Sequence, residues 1–183
     1  MDQMGSSVGG AVAIDFADPA APVVKKVEYD FTRSGHALCI VDTGSCHADL
    51  TDDYADITRE MGAVAAHFGK KFLRDVDEGA FRAALPQLRQ ECGDRAVLRT
   101  MHFFEEDCRA EQEAQALEQG DFAAFLALVD QSGLSSALNL QNTWSAAALS
   151  SRPSRWPWPW GGSCWAAPAP SGSTAADLPV PSR

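Results

Sequence analysis

Apolar and polar positions change their spacing twice along the chain, and each change marks a different kind of element. Ala11-Val12-Ala13-Ile14-Asp15-Phe16 is a short apolar run that reads as a strand. A turn containing two prolines, Asp18-Pro19-Ala20-Ala21-Pro22, follows it. From Val24 to Phe31 the pattern alternates, with Val27, Tyr29 and Phe31 set against Lys26, Glu28 and Asp30. That is the period-two signature of a half-buried strand. His36 to Asp42 contains Ala-Leu-Cys-Ile-Val, an unbroken apolar run suited to a central strand.

Beyond Asp49 the period lengthens. Tyr54, Ile57, Met61, Val64, Ala65 and Phe68 share one face of a helix, with Asp52 or Asp53 as its N-cap. Asp77 to Leu85 predicts a shorter helix, ended or kinked by Pro86. Asp94 to Gln119, rich in Glu, Gln, Ala and Arg, predicts a long helix stopped by Gly120. Asp121 then caps another helix, with Phe122, Phe125, Leu126 and Val129 on one stripe. Strands first and helices afterwards imply an α+β fold: short antiparallel strands followed by a helical domain.

Composition breaks near Asn142. All five tryptophans and seven of the ten prolines lie beyond it, and Asp177 is the only acid there. The part before the break carries 12 basic and 24 acidic residues, net -12, and the part after it carries +2. Prolines break helices and cannot donate to a sheet ladder, so an irregular, disordered tail is expected over 143–183. The formal net charge of -10 disfavours nonspecific nucleic-acid binding and anionic membrane surfaces. No apolar run reaches the roughly 20 residues a transmembrane helix needs. The five cysteines are scattered without a Cys-x-x-Cys pair, which argues against structural zinc and for a reduced, cytoplasmic protein. No metal site is expected.

The chemistry-bearing groups are few. Met1-Asp2-Gln3-Met4-Gly5 puts a carboxylate at a helix start. Its plain reading is a cap. Its functional reading sets Asp2 beside a substrate hydroxyl, to orient it or take its proton. Asp49 to Glu60 puts Tyr54 and several carboxylates at another helix start. There the plain reading is capping plus a solvated acidic face, and the functional one is a tyrosine hydroxyl offered to a sugar. Cys46-His47 has no distant partner, and His36, His67 and His102 read as surface or satisfied core residues. Ser132-Gly133-Leu134-Ser135-Ser136 has the composition of a phosphate loop but sits in a helical pattern, so it is rejected as an ATP site.

Taken in order, these segments resemble galactokinases of the GHMP kinase superfamily. Met-Asp-Gln resembles the family's catalytic-aspartate motif, and Ala-Val-Ala-Ile-Asp-Phe the strand after it. His36 to Thr43 resembles the next strand. Asp-Asp-Tyr-Ala-Asp-Ile-Thr-Arg-Glu-Met resembles the helix whose tyrosine contacts the sugar. Phe72-Leu73-Arg74-Asp75-Val76, Ala116 to Asp121 and Ser132 to Ser136 resemble later segments. The resemblance covers roughly residues 1–145 and implies a partial GHMP-kinase fold. Residues 1–48 are then a remnant of the N-terminal catalytic domain with linking strands, 49–142 the helical C-terminal-type domain, and 143–183 the tail. It implies ATP-dependent phosphorylation of the anomeric hydroxyl of galactose, or another hexose, with ATP and Mg2+ as cofactors. Asp2 is then the catalytic group and Tyr54 a substrate-binding group.

Two departures qualify the resemblance. The family's sugar-binding and phosphate-loop motifs precede its catalytic aspartate and are missing here, so no cofactor-binding residue is assigned. The chain is expected to be inactive alone, with an upstream kinase half as a candidate partner. The family's later Gly-Gly-Gly-Phe motif is also missing. A shifted reading frame restores something like it. Trp156-Pro157-Trp158-Pro159-Trp160 then becomes x-Ala-x-Ala-x, and Gly172 to Ser182 permits Val-His-Gly-Gly-Gly-Phe-Ala-Gly-Thr-Val. A frameshift between about Ala146 and Ser150 is the expectation; a genuine partner-binding Trp/Pro-rich tail is the alternative. A noncatalytic sugar-sensing or interaction module, with the acidic helix from Asp94 as its surface, is the second functional reading.

Overall fold

A computed structural model of the chain describes residues 2–18, 20–37, 39 and 51–142. Helix α1 (Asp2–Val8) leads into strand β1 (Ala11–Asp15), which pairs antiparallel with β2 (Val23–Val27). The register sets Ala11 opposite Val27 and Asp15 opposite Val23. The helices follow: α2 (Thr51–His67), α3 (Glu78–Ala83), α4 (Leu85–Glu91), α5 (Asp94–Glu118) and α6 (Phe122–Ser135). The chain continues from α6 into a π-helical turn, Ser136–Leu140. The α+β class is therefore seen: among the described residues there is a two-stranded sheet and a helical majority.

The second strand is shorter than the alternation predicts. It stops at Val27, and Phe31–Arg33 forms a 3-10 turn. Local polar bonds compete with the ladder: the Asp30 carboxylate accepts from the Thr32 hydroxyl at 2.6 Å and from its amide at 3.0 Å. Those same two bonds, the hydroxyl first, hold the Asp30 carboxyl below its usual pKa. The alternation survives as burial, since Val27 is buried and Tyr29 half-buried. Of the expected third strand, His36, Ala37 and Cys39 are described and lie outside any strand, while Leu38 and 40–42 are outside the described residues. The tail, 143–183, is also outside them.

Pro86 follows a helix end, at Ala83, and also opens the next helix. It sits in the first turn of α4, where a missing N–H costs nothing because that group has no intrahelical partner. The short helix before it ends at Ala83, and its N-cap is Asp77, whose carboxylate accepts from the Ala80 amide at 2.8 Å. Helix α2 begins at Thr51, so Asp52 and Asp53 lie in its first turn rather than at the cap. Negative charge is favourable in that turn through the helix dipole.

The core gathers Val64 and Ala65 of α2, Leu73 and Val76, Phe81 of α3, Leu88 of α4, and Ala96 and Val97 of α5. Met61, Phe68, Phe103 and Phe104 pack around it. Helix α5 is central: it packs on α2, α4, α6 and both strands. It is thus not a free acidic rod, and the interaction-surface reading is confined to exposed positions such as Asp107, Glu111 and Glu118. At its end Gly120 takes φ 73, which only glycine adopts without strain. The Asp121 amide bonds the Ala116 carbonyl and the Gly120 amide the Leu117 carbonyl, both as a Schellman motif requires. Asp121 then caps α6, accepting from the Ala124 amide at 2.9 Å.

Candidate functional site

Asp2 opens α1, which packs on β1. Tyr54 lies in the N-terminal half of α2, is 60% exposed, and its helix packs on α5. Tyr54 lines neither of the two described hollows. One, of ≈ 360 Å³, lies among Glu28, Tyr29, Asp30, Arg33, Leu117 and Gly120. The other, of ≈ 220 Å³, lies along α5 and α6 among Glu105, Arg109, Leu134, Ser135, Leu138 and Asn139. Cys46 and His47 lie outside the described residues.

The acidic side of α2 is not simply solvated. Arg95 of α5 donates from Nε to both Glu60 oxygens, at 2.9 and 3.1 Å, and reaches Asp56 at 3.4 Å. Arg59 pairs with Asp56 at 2.7 Å. Arg99, one turn beyond Arg95, is 4% exposed and donates from Nη1 to Glu60 Oε2 at 2.9 Å. A buried guanidinium needs a counter-charge and filled hydrogen bonds, and Glu60 supplies the charge. Sequence reading passed over this pair, although Arg95 and Arg99 at i,i+4 mark one face of α5.

A second polar seam joins α5 to α6. His102 is buried, and its Nδ1 lies 3.0 Å from the Ser135 hydroxyl. The hydroxyl has one proton. When it donates to Glu105, 3.3 Å away, His102 must donate from Nδ1. Ser132 donates to Glu106 at 2.6 Å, and Arg109 pairs with Glu106. Serine, histidine and glutamate in contact suggest a nucleophile, but Ser135 sits inside helical turns whose amides are already bonded. It therefore lacks the aimed N–H donors that acyl transfer requires. The seam is a polar helix–helix interface in which His102 itself is hydrogen-bonded, as read for it from sequence. His67 is likewise paired, with Glu91 at 2.7 Å, and His36 bonds the Ser34 carbonyl at 2.9 Å.

Burial, followed by the nearby Arg109 charge, pushes the His102 pKa below its ordinary value, while Glu105 opposes the shift. The folded state thus disfavours the proton that the unfolded chain accepts near pH 6.5. This contribution is present above about pH 6.5 and is lost as pH falls through it. Glu113 acts in the opposite sense: burial raises its pKa, so its contribution is lost as pH rises from the ordinary carboxyl range. Urea midpoints measured from pH 7.5 to 5.5 should fall for the native chain and flatten for His102→Gln. Parallel curves for the two proteins would remove His102 from the account.

Among the described residues, the serine-rich segment of α6 offers no cradle for a nucleotide phosphate. Ser132 to Ser135 are part of α6 and Ser136 opens the π-turn, so their amides serve the helix rather than a phosphate. Among the described residues no three His, Cys, Asp or Glu side chains gather to hold a metal ion. Among them, too, no helix is long and apolar enough to cross a membrane.

Comparison with curated proteins supports a galactokinase-like relationship. The relative is the galactokinase of Streptomyces coelicolor, 31% identical over 129 residues, which are 70% of this chain and 33% of the relative. The chain thus spans about a third of that protein's length. No protein-family model matches it, and no solved structure matches it significantly.

Proposed function

We propose that the chain is a portion of a galactokinase-like sugar kinase that carries sugar-side groups and not the nucleotide cradle. The 31% identity to a galactokinase carries this reading. Asp2 is the group that orients the anomeric hydroxyl of galactose, or of a related hexose, or accepts its proton. Tyr54 is a sugar contact, and its exposure in the N-terminal half of α2 leaves the ring accessible to a ligand. In the family ATP supplies the transferred phosphoryl group and Mg2+ offsets its charge; no step involving them is assigned to the described residues. A reduced cytoplasmic setting accords with the free thiols of Cys39, Cys92 and Cys108.

A polypeptide of these 183 residues should bind galactose weakly and show no ATP-dependent phosphorylation in a coupled assay. Tyr54→Phe should weaken galactose binding about 3- to 10-fold, the worth of one hydrogen bond. Turnover by the isolated polypeptide would overturn the assignment of the nucleotide side. Binding unchanged in both Asp2→Asn and Tyr54→Phe would overturn the assignment of the sugar side. The noncatalytic sensing module shares the binding but predicts no turnover even when an upstream kinase half is supplied. Residues beyond about Ala146 are proposed to be read in a shifted frame. The gene's codons test this, and codons incompatible with the glycine-rich motif would end it.

A further inference from the structure

Near the end of the described residues, α6 runs into the π-turn Ser136–Leu140. Gln141 takes φ 59, and its amide bonds the Ser136 carbonyl at 2.9 Å, so the turn closes sharply. The Leu140 carbonyl is taken up from outside: Arg99 Nε donates to it at 3.0 Å. The same guanidinium donates from Nη1 to Glu60 of α2. One buried fork therefore spans three elements, with α5 as its base, the C-terminal turn on one tine and α2 on the other. Its planar geometry fixes the two acceptors relative to each other, which an ammonium group cannot do.

We infer that Arg99 couples the C-terminal turn to the middle of α2, at Glu60, making it a positioning residue for the helix that bears Tyr54. The coupling follows from geometry alone; only the significance of Tyr54 rests on the sugar reading above. Neither acceptor can drift without leaving a buried charge short of a partner. Displacement of Leu140 is thus felt at Glu60, whose other side is held by Arg95. Tyr54 lies between one and two turns before Glu60 on the same helix.

Amide hydrogen exchange on the full chain tests this, comparing the native protein with Arg99→Lys and Arg99→Met. Lysine keeps the charge but can serve only one acceptor well. In Arg99→Lys, exchange at 55–61 and at Gln141 should accelerate together by about tenfold, the loss of one charge-assisted bond. Amides of α3 and α4 should keep their native rates. If Arg99→Met does not fold, the lysine variant still decides. Native rates at both segments, a change in only one of them, or a uniform rise across all helices would overturn the coupling. Galactose added to the same samples separates the two readings. Paired acceleration without any galactose protection of α2 sinks the sugar contact and leaves the coupling standing. Protection of α2 by galactose with unpaired exchange does the reverse.

Discussion

Phe81→Ala is expected to destabilise the protein by about 3–5 kcal/mol. The ring is 1% exposed and lies at the centre of the core, 5.4 Å from the Phe104 ring between centroids. Removing it deletes the contact with Phe104 of α5 and empties part of the cluster shared with α2 and α4, leaving a cavity that the surrounding helices must collapse to fill. Helices α3 and α4 are each too short to persist without tertiary support. Domains of this size are stable by only about 5–15 kcal/mol in total, so one side chain removes a large share. Urea unfolding followed by circular dichroism measures the loss. A midpoint within error of the native one would mean that Phe81 is not in the core. Phe81→Leu should recover most of the deficit, because it restores most of the volume.

Glu60→Ala is expected to cost a similar amount, about 3–5 kcal/mol, for a different reason. It deletes little apolar surface. It strips the counter-charge from Arg99, which stays almost fully buried. Arg95 is half-exposed, so its share of the loss should be small, about 0–1 kcal/mol after screening by water. A double-mutant cycle separates the terms. Glu60→Ala combined with Arg99→Met should be markedly less harmful than the two single losses added, since the double variant leaves no charge stranded. Strict additivity of the unfolding free energies would show that the two side chains do not interact.

The helices declared themselves where local chemistry set them. The stripe from Ile57 to Phe68 is buried or half-buried, with Val64 and Ala65 fully so, although Tyr54 at its head is 60% exposed; Asp121 caps α6 from its own side chain. Sequence misled where two local rules met. Alternation carried the second strand on to Phe31, but the Asp30 to Thr32 bonds ended it four residues earlier. Pro86 signalled a stop, and a helix does end at Ala83, but a proline also suits a first turn, and α4 starts there at once. The arginine fork was hidden for another reason. Glu60 and Arg99 stand 39 positions apart, and no periodicity records a contact that long. Asp2 and Tyr54 were singled out by resemblance, and their elements pack on different partners, β1 and α5.

The junction at Gly120 and Asp121 closes one helix and starts the next with no spare residue between. It therefore acts as a phase-setter, fixing which side of α6 meets α5. A single inserted amino acid after Gly120 would turn α6 by about 100° about its own axis. Ser132 and Ser135 would swing out of reach of Glu106 and His102, and a buried imidazole and a carboxylate would lose their serine partners at once.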